Sequence, residues 1–199
     1  MQNLGVNDYH ILAHDYGDTV AQELLARQVE GSAERHIASV CFLNGGLFPE
    51  THKPILVQKL LLSPLGPLVS KLINKQKFAG SLQRIFGPDT QPTVEVIDTL
   101  WQLLSHNDGL GVMHKLINYM PQRQQYRERW VGAIINSTVP VKLIAGAKDP
   151  ISGQHMIDRY RELIPNGDIT NMPMLGHYPQ IEDAAAITAA YLQFRSSIL

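Results

Sequence analysis

An aspartate stands at the apex of a tight turn between an apolar run and a helical pattern. Asp15 has small residues two positions away on either side, Ala13 and Gly17. This pattern predicts a nucleophile elbow, because bulky neighbours would clash with its strained apex. Serine is the usual apex residue. A carboxylate is already ionised at neutral pH, since its reference pKa is about 4, and by attacking carbon it would form an ester that water must cleave.

Taken alone, the turn has a simpler explanation, in which Asp15 caps the helix that follows it. Two further polar residues favour the chemical interpretation. Asp149 and His177 each follow a predicted strand at its carboxyl end, where open α/β sheets bind ligands. Either could be an ordinary turn or loop residue by itself. Together the three residues occur in the order nucleophile, acid and histidine, which is the order of the α/β-hydrolase triad.

The elements that would position these residues alternate between strands and helices. Apolar runs predict strands at 9–13, 36–43, 141–146 and 168–172. Helical spacing predicts helices at 18–30, 153–164 and 182–195, and residues 1–8 resemble the tail of a helix that ends at Gly5. Strand, helix and strand with short connections imply parallel pairing through right-handed crossovers. We therefore predict an α/β fold.

The middle of the chain breaks this alternation. Residues 44–139 hold no convincing strand and several helical patterns separated by proline and glycine, including a helix at 92–105. We interpret this block as an inserted helical cap in which Trp130 packs. The predicted organisation is a core with the elbow at 1–48, a cap at 49–138, and a core with the acid and histidine loops at 139–199.

The composition is that of an ordinary globular protein. Of 199 residues, 44% are hydrophobic and 18% charged, and the net charge is −1. The near-zero charge offers no electrostatic argument for binding nucleic acid or a membrane surface. No apolar segment is long enough to span a bilayer. The first residues lack the basic start and apolar centre of a signal peptide.

The cysteine and histidine content predicts neither a disulfide nor a metal site. Cys41 has no partner for an internal disulfide, so a reducing compartment is allowed, and we expect a cytoplasmic location. Four histidines lack metal-ligand spacing: His52, His106, His114 and His155. We expect no cofactor. The oligomeric state stays open.

Several segments resemble the Asp-nucleophile branch of the α/β-hydrolase superfamily, which includes epoxide hydrolases and haloalkane dehalogenases. Within that branch the chain is most similar to the mesoderm-specific transcript family. The matching segments cover nearly the whole chain: His14-Asp15-Tyr16-Gly17-Asp18, Val20-Ala21-Gln22-Glu23-Leu24-Leu25, Asn44-Gly45-Gly46-Leu47-Phe48-Pro49-Glu50-Thr51-His52, Asn118-Tyr119, Gln122-Arg123, Arg129-Trp130-Val131-Gly132-Ala133, Gly176-His177-Tyr178-Pro179-Gln180 and Glu182-Asp183.

The resemblance implies a two-step hydrolysis. Asp15 would attack an electrophilic carbon and form an alkyl-enzyme ester. His177, oriented by Asp149, would then activate a water that cleaves the ester. The backbone N–H of Tyr16 would donate to the oxyanion. Because the cap is large and apolar, we expect a small apolar substrate.

The two kinds of enzyme in this branch differ in how they stabilise the leaving group. Dehalogenases usually have tryptophan directly after the nucleophile, and Tyr16 at that position argues against an efficient dehalogenase. Epoxide hydrolases use cap tyrosines as acids on the epoxide oxygen, for which Tyr119 and Tyr126 are the candidates. The alternative for both is an amphipathic residue that only packs in the cap.

The chain departs from its family before the elbow. Family members have several strands there and a His-Gly-x-Pro type loop that supplies a second oxyanion donor, and this sequence contains no such motif. We therefore expect an N-terminally truncated, four-stranded sheet with an exposed edge. Two hypotheses follow: an epoxide-hydrolase-like enzyme, or a truncated non-catalytic remnant. A haloalkane dehalogenase or an esterase-type hydrolase is a further alternative, although no Gly-x-Ser-x-Gly motif is present.

Overall fold

The computed structural model describes residues 5–198, and they form a parallel sheet of four strands. The strands lie side by side in chain order: β1 (Asp8–Ala13), β2 (His36–Phe42), β3 (Val141–Gly146) and β4 (Asp168–Met172). Ala13 is opposite Phe42, which is opposite Leu143, and Gly146 is opposite Met172. The carboxyl ends of the four strands therefore meet at one end of the sheet, where loops can bring side chains together.

Helices make up most of the remaining chain. In chain order they are α1 (Tyr16–Val29), α2 (Leu56–Leu62), α3 (Gly66–Leu72), α4 (Lys75–Ile85), α5 (Val94–Ser105), α6 (Gly109–Leu116), α7 (Tyr119–Gln125), α8 (Arg127–Ile135), α9 (Gln154–Leu163), α10 (Pro179–Glu182) and α11 (Ala184–Ser197). A 3₁₀ turn at His106–Asp108 joins α5 to α6. Helices α1 and α9 each connect neighbouring strands, whereas α2 to α8 all fall between β2 and β3.

Both faces of the sheet are covered, which explains why its central strands are mostly apolar. Successive residues of a strand point to opposite faces. Phe42 therefore packs in one buried cluster with Leu25 of α1 and Ile157 of α9, and Cys41 packs in a second cluster with Phe194 of α11. This two-sided packing holds the strand ends in place beneath the loops that follow them.

Helix α8 packs mainly on α1, beside the sheet. Trp130 lies in the same buried cluster as Leu25, and its indole N–H donates to Glu23 of α1 over 2.8 Å. Its ring also lies 5.3 Å from that of Tyr126. Trp130 therefore packs on a residue of the predicted cap, as expected, and also on the core. Helical spacing identifies a buried face but does not say which apolar surface it meets. The predicted cap boundaries at 49 and 138 stay a prediction.

The predicted elements agree closely with the structure. All four strands are confirmed to within one residue at either end, and the described part of 44–139 contains no strand. Helix α1 begins at Tyr16 rather than at residue 18, because the chain enters the helix directly from the turn. The predicted helix at 182–195 corresponds to α11, which begins at Ala184 because the Asp183 side chain accepts from the N–H of Ala186; the short α10 precedes it. The helix expected at 1–8 falls largely outside the described residues, and β1 begins at Asp8.

Candidate active site

The turn between β1 and α1 holds Asp15 in an unusual backbone conformation. Its φ is 52° and its ψ is −109°, a region that residues other than glycine rarely adopt. Two backbone bonds fix the turn: the N–H of Asp15 donates to the carbonyl of Asn44 (2.9 Å), and the N–H of Gly17 donates to that of His14 (2.8 Å). The Asp15 side chain makes no capping bond to α1 and is 39% exposed. A helix cap therefore does not account for this aspartate.

The structure brings the three predicted residues together. Nδ1 of His177 lies 2.8 Å from Oδ2 of Asp149, which is a hydrogen-bond distance. Nε2 on the other side of the ring lies 3.9 Å from Oδ2 of Asp15, within ion-pair range but too long for a hydrogen bond. The imidazole thus lies between two carboxylates, one almost fully buried and one accessible.

Asn44 ties the ends of β2 and β3 together beside Asp149. Its side-chain N–H donates to the carbonyl of Gly146 (2.9 Å) and to Oδ2 of Asp149 (3.1 Å), and its Oδ1 accepts from the N–H of Gly146 (2.7 Å). Asp149 also accepts from the Ser152 hydroxyl (2.6 Å) and from the N–H of Ile151 (2.8 Å). The carboxylate that orients His177 is therefore held from several directions.

Glu182 organises the loop that carries His177. Its Oε2 accepts from the N–H groups of Gly176 (2.7 Å) and Gly87 (2.8 Å), and its Oε1 accepts from the N–H of Tyr178 (3.0 Å). One carboxylate thus binds both neighbours of the histidine and a loop from the predicted cap.

Further contacts reach His177 itself. Its backbone N–H donates to the carbonyl of Ile85 (2.8 Å), and its own carbonyl lies 2.7 Å from Nε2 of His14. Burial lowers the pKa of His14 to about 4, so the ring is neutral and its Nε2–H can donate to this carbonyl. His14 supports the loop rather than taking part in proton transfer.

The three central groups shift one another's pKa values. Burial favours neutral His177, but the charge of Asp149 and the hydrogen bond to it outweigh burial and raise the pKa of the imidazole to about 10. Burial opposes ionisation of Asp15, yet the charge of His177 holds the pKa of its carboxyl well below the usual range. Burial also opposes ionisation of Asp149, but the charge and the hydrogen bond of His177 lower the pKa of that carboxyl. At neutral pH the site contains two carboxylates around an imidazolium.

A second polar cluster lies beneath the elbow. Arg123 of α7 donates from Nη2 to the carbonyl of Asp15 (3.1 Å) and from Nε to the hydroxyl of Thr19 (2.7 Å). Asp18 is completely buried, and burial raises the pKa of its carboxyl well above the ordinary value despite the charge of Arg123. A Cβ added to Gly45 would lie 2.1 Å from Oδ2 of Asp18, so only glycine fits there.

The two candidate tyrosines differ in position. Tyr119 is buried, its ring lies 5.2 Å from that of Tyr16, and burial together with the charge of Asp15 raises its pKa to about 12. Tyr126 is 41% exposed, and its ring packs at 5.3 Å on Trp130. The structure therefore brings Tyr119, but not Tyr126, to the elbow. Tyr16 opens α1, and a helix leaves its first N–H unpaired.

The sequence alone indicates no role for several residues of this site. Asn44, Asp18, Arg123 and Glu182 stand out in it only as parts of segments that resemble the family. Their partners lie far away in the chain, so local spacing carries no signal for them. Within residues 5–198, no three His, Cys, Asp or Glu side chains are arranged to hold a metal ion.

Solved structures with the same architecture identify the fold. The haloalkane dehalogenase DbeA-M1 loop variant from Bradyrhizobium elkanii matches 99% of this chain and 70% of its own, with a TM-score of 0.75 and 14% identity. Epoxide hydrolase CorEH matches 100% of this chain and 71% of its own, with a TM-score of 0.66 and 16% identity. At such low identity these matches demonstrate the fold alone. This protein has the α/β-hydrolase fold.

Sequence relatives narrow the assignment. The chain is 40% identical over 202 residues to the mesoderm-specific transcript protein of Mus musculus, covering 99% of this chain and 59% of that protein. It is 35% identical over 182 residues to LipZ of Mycobacterium tuberculosis, named as a candidate hydrolase, covering 92% of this chain and 63% of LipZ. No family model matches. The chain is thus a close homologue of the mesoderm-specific transcript proteins and of LipZ, and it spans about three-fifths of their length.

Proposed function

We propose that this protein is a hydrolase that acts through an Asp15 nucleophile and an alkyl-enzyme ester, as in epoxide hydrolysis. One observation carries the proposal: an ionised carboxylate stands at the apex of a strained elbow, 3.9 Å from the imidazole that Asp149 orients. The likeness in fold to an epoxide hydrolase and to a haloalkane dehalogenase supports the same class of reaction.

In the first step, a carboxylate oxygen of Asp15 forms a bond to an epoxide carbon as the carbon–oxygen bond of the ring breaks. The released oxygen takes a proton from a phenol and becomes a hydroxyl group. We assign this proton to Tyr119, which lies at the elbow and whose raised pKa keeps it protonated at neutral pH. Tyr126 is the less favoured candidate because it packs on Trp130.

Before the second step, the His177 imidazolium returns a proton through solvent to the phenolate left by the first step and becomes neutral. Neutral His177 then takes a proton from water, and the resulting hydroxide adds to the ester carbonyl carbon. The N–H of Tyr16 stabilises the oxyanion. The ester bond then breaks, and the released oxygen takes the proton of the new carboxyl group, which gives a diol, the Asp15 carboxylate and the His177 imidazolium. Esterification removes the negative charge of Asp15, which helps to raise the pKa of His177 in the free protein. The first step therefore makes the imidazole a more readily available base for the second.

We propose a small apolar electrophile as the substrate. A cavity of about 260 Å³ borders Arg123, which bonds the Asp15 carbonyl, although neither Asp15 nor His177 lines this cavity. Its lining is mostly apolar: Pro49, Pro54, Leu62, Met120 and Pro121, with His52 and Gln124. Burial lowers the pKa of His52 to about 4, so its ring adds no charge. Such a lining favours an apolar substrate body with a single reactive group.

Trapping the ester tests the proposal. We would incubate the His177→Gln variant with styrene oxide and analyse the intact protein and its peptides by mass spectrometry. Without the base, the second step should stall and leave an adduct equal in mass to the epoxide on the peptide that contains Asp15. The matched control is the same variant with Asp15→Asn, which should remain unmodified.

A parallel incubation with 1-bromobutane distinguishes the dehalogenase alternative. A butyl adduct on Asp15 without an epoxide adduct would favour dehalogenation. The absence of any adduct on protein shown to be folded by near-ultraviolet circular dichroism would contradict the proposed nucleophile.

A non-catalytic hydrolase-fold protein is the second candidate. The sequence contains no His-Gly-x-Pro motif, so only one oxyanion donor, Tyr16, is identified in this chain. Loss of one such donor costs about 100- to 1000-fold in turnover. An ester that forms in His177→Gln, combined with steady release of diol by the wild type, would rule this candidate out.

A further inference from the structure

One segment of the predicted cap carries only basic charge. Between Glu50 and Asp89 there are six basic and no acidic residues: Lys53, Lys59, Lys71, Lys75, Lys77 and Arg84. All six are exposed. The rest of the chain holds eleven of the seventeen basic residues and all eighteen acidic ones. The near-zero net charge therefore conceals a cationic region.

Helices α2 and α3 in this segment are apolar on both sides. Their inner side packs with α6 and α7: Leu61 is buried against Ile117 and Tyr119, and Val69 packs on the same cluster. Their outer side exposes five leucines: Leu56, Leu60, Leu65, Leu68 and Leu72. Leu56 is 71% exposed, and the three leucines of 65–72 are each more than half exposed. Exposed apolar surface concentrated in this way marks an interaction site.

The spacing of these leucines produces a stripe along each helix. Leu56 and Leu60 are four residues apart, and the leucines at 65, 68 and 72 are three and four apart, so each set lies on one side of its helix. An apolar cavity of about 330 Å³ adjoins the stripe, because Leu60 and Leu72 line both, with Lys77 at its wall. We call the five leucines together with Lys59, Lys71 and Lys77 the leucine–lysine face.

Most of the positive charge around this face is not neutralised by the protein. Lys75 pairs with Asp98 of α5 over 2.7 Å. Lys77 donates to the carbonyl of Leu72 over 3.1 Å and keeps its charge. Among the described residues, neither Lys59 nor Lys71 lies within 4 Å of an acidic oxygen. The leucine–lysine face thus combines apolar stripes with positively charged side chains that no acidic residue described in the structure neutralises.

We propose that the leucine–lysine face docks on the surface of an anionic lipid bilayer. The leucines of α2 and α3 would enter the boundary between headgroups and acyl chains, and the lysines would reach lipid phosphates and carboxylates. Lysine suits this position because its long apolar stem can follow the leucines while its charge stays in water. The contact lies on one surface of the protein, and no helix within residues 5–198 is long and apolar enough to cross a bilayer.

Charge argues against a second copy of the chain as the partner. Two such faces would bring Lys59, Lys71 and Lys77 of one protomer against those of the other, and like charges repel. Nucleic acid would satisfy the cations but would leave five exposed leucines without an apolar partner. An anionic bilayer satisfies both features.

Vesicle flotation tests the proposal. We would compare vesicles of phosphatidylcholine alone with vesicles that also contain phosphatidylserine. The protein should float with the mixed vesicles and should dissociate as salt is raised, because surface electrostatics are screened. Lys71→Gln should weaken binding about fivefold, the value expected for one basic residue near such a surface. Leu56→Ser and Leu68→Ser should each weaken it about tenfold through lost apolar burial.

Matched variants on other surfaces provide the controls. Leu192 of α11 is 56% exposed, as is Leu68, and Leu192→Ser should not change vesicle binding. Arg161→Gln on α9 controls for loss of one positive charge. Circular dichroism should show all variants folded, since the altered side chains are exposed.

Three outcomes would overturn the proposal. These are equal binding of the face and control variants, no preference for anionic vesicles, and absence of vesicle binding at low salt. Self-association that disappears in Leu68→Ser, without vesicle binding, would instead assign the face to a second copy of the chain.

Discussion

Arg123 donates a hydrogen bond from Nη2 to the backbone carbonyl of Asp15 over 3.1 Å, across 108 positions of the chain. The same side chain donates from Nε to Thr19, and its guanidinium lies 4.4 Å from the ring centre of Tyr119. The carbonyl of Asp15 also accepts from the backbone N–H of Asp18 over 3.2 Å, so Arg123 is its second donor. Arg123 therefore supports the strained apex from α7.

Replacing Arg123 with glutamine should destabilise the protein. The carbonyl of Asp15 and the hydroxyl of Thr19 would both lose a charged donor, which costs about 2 to 4 kcal/mol in the free energy of unfolding. Urea unfolding followed by circular dichroism measures the change. Arg161→Gln, an exposed control, should change the same quantity by less than about 0.5 kcal/mol. Equal effects of the two variants would show that the buried bonds contribute nothing.

Asp18 should make stability fall as the pH rises. Its pKa is raised in the folded state, so above about pH 4 the unfolded chain gains from ionisation while the folded protein does not. Asp18→Asn, of nearly the same shape, should match the wild type at pH 3 and exceed it in free energy of unfolding by pH 8. Asp158→Asn on the surface of α9 is the control. A loss of stability in Asp18→Asn at pH 8 would mean that the ionised form is the native one.

His177 should also make stability fall as the pH rises, but over a higher pH range than Asp18. Its pKa is about 10 when folded and about 6.5 when unfolded, so its contribution is complete below pH 6.5 and is lost as the pH rises through 10. The difference in free energy of unfolding between wild type and His177→Gln should shrink over that interval. NMR titration of the imidazole should give the raised pKa directly and a lower one in Asp149→Asn. An unshifted value near 6.5 would contradict the ion-paired arrangement.

Removing the carboxylate of Glu182 should loosen the loop around His177. Glu182→Ala would leave the N–H groups of Gly87, Gly176 and Tyr178 without their acceptor, at a cost of about 2 to 4 kcal/mol. The neighbouring Asp183 caps α11 through one bond, and Asp183→Ala should cost only about 1 kcal/mol. Thermal and urea unfolding of both variants compare the two costs. Glu182→Ala should also speed amide hydrogen exchange at Gly176 and Tyr178, because both N–H groups lose their acceptor.

The elements of the fold could be predicted because their signals are local. Apolar runs and helical spacing predict the four strands, α1 and α9, and the gap between β2 and β3 shows that a helical block interrupts the alternation. The chain order of Asp15, Asp149 and His177 predicted that they would meet, since residues at the carboxyl ends of neighbouring parallel strands share one end of the sheet. The packing of Trp130 on α1 was not predicted, because spacing reveals a buried face but not its partner.

The sequence by itself therefore determined the order of strands and helices and the kinds of reactive group at the strand ends. Only the tertiary structure decided which groups support them. The bonds of Arg123 to Asp15, of Asn44 to Asp149 and of Glu182 to Gly87 each join segments about 100 positions apart, so no local pattern encodes them. Burial likewise raises the pKa of Asp18 and lowers that of His14, and the solvent exposure of the leucines in α2 and α3 depends on how those helices pack. Both follow from long-range packing, which removes some side chains from water and leaves others in it.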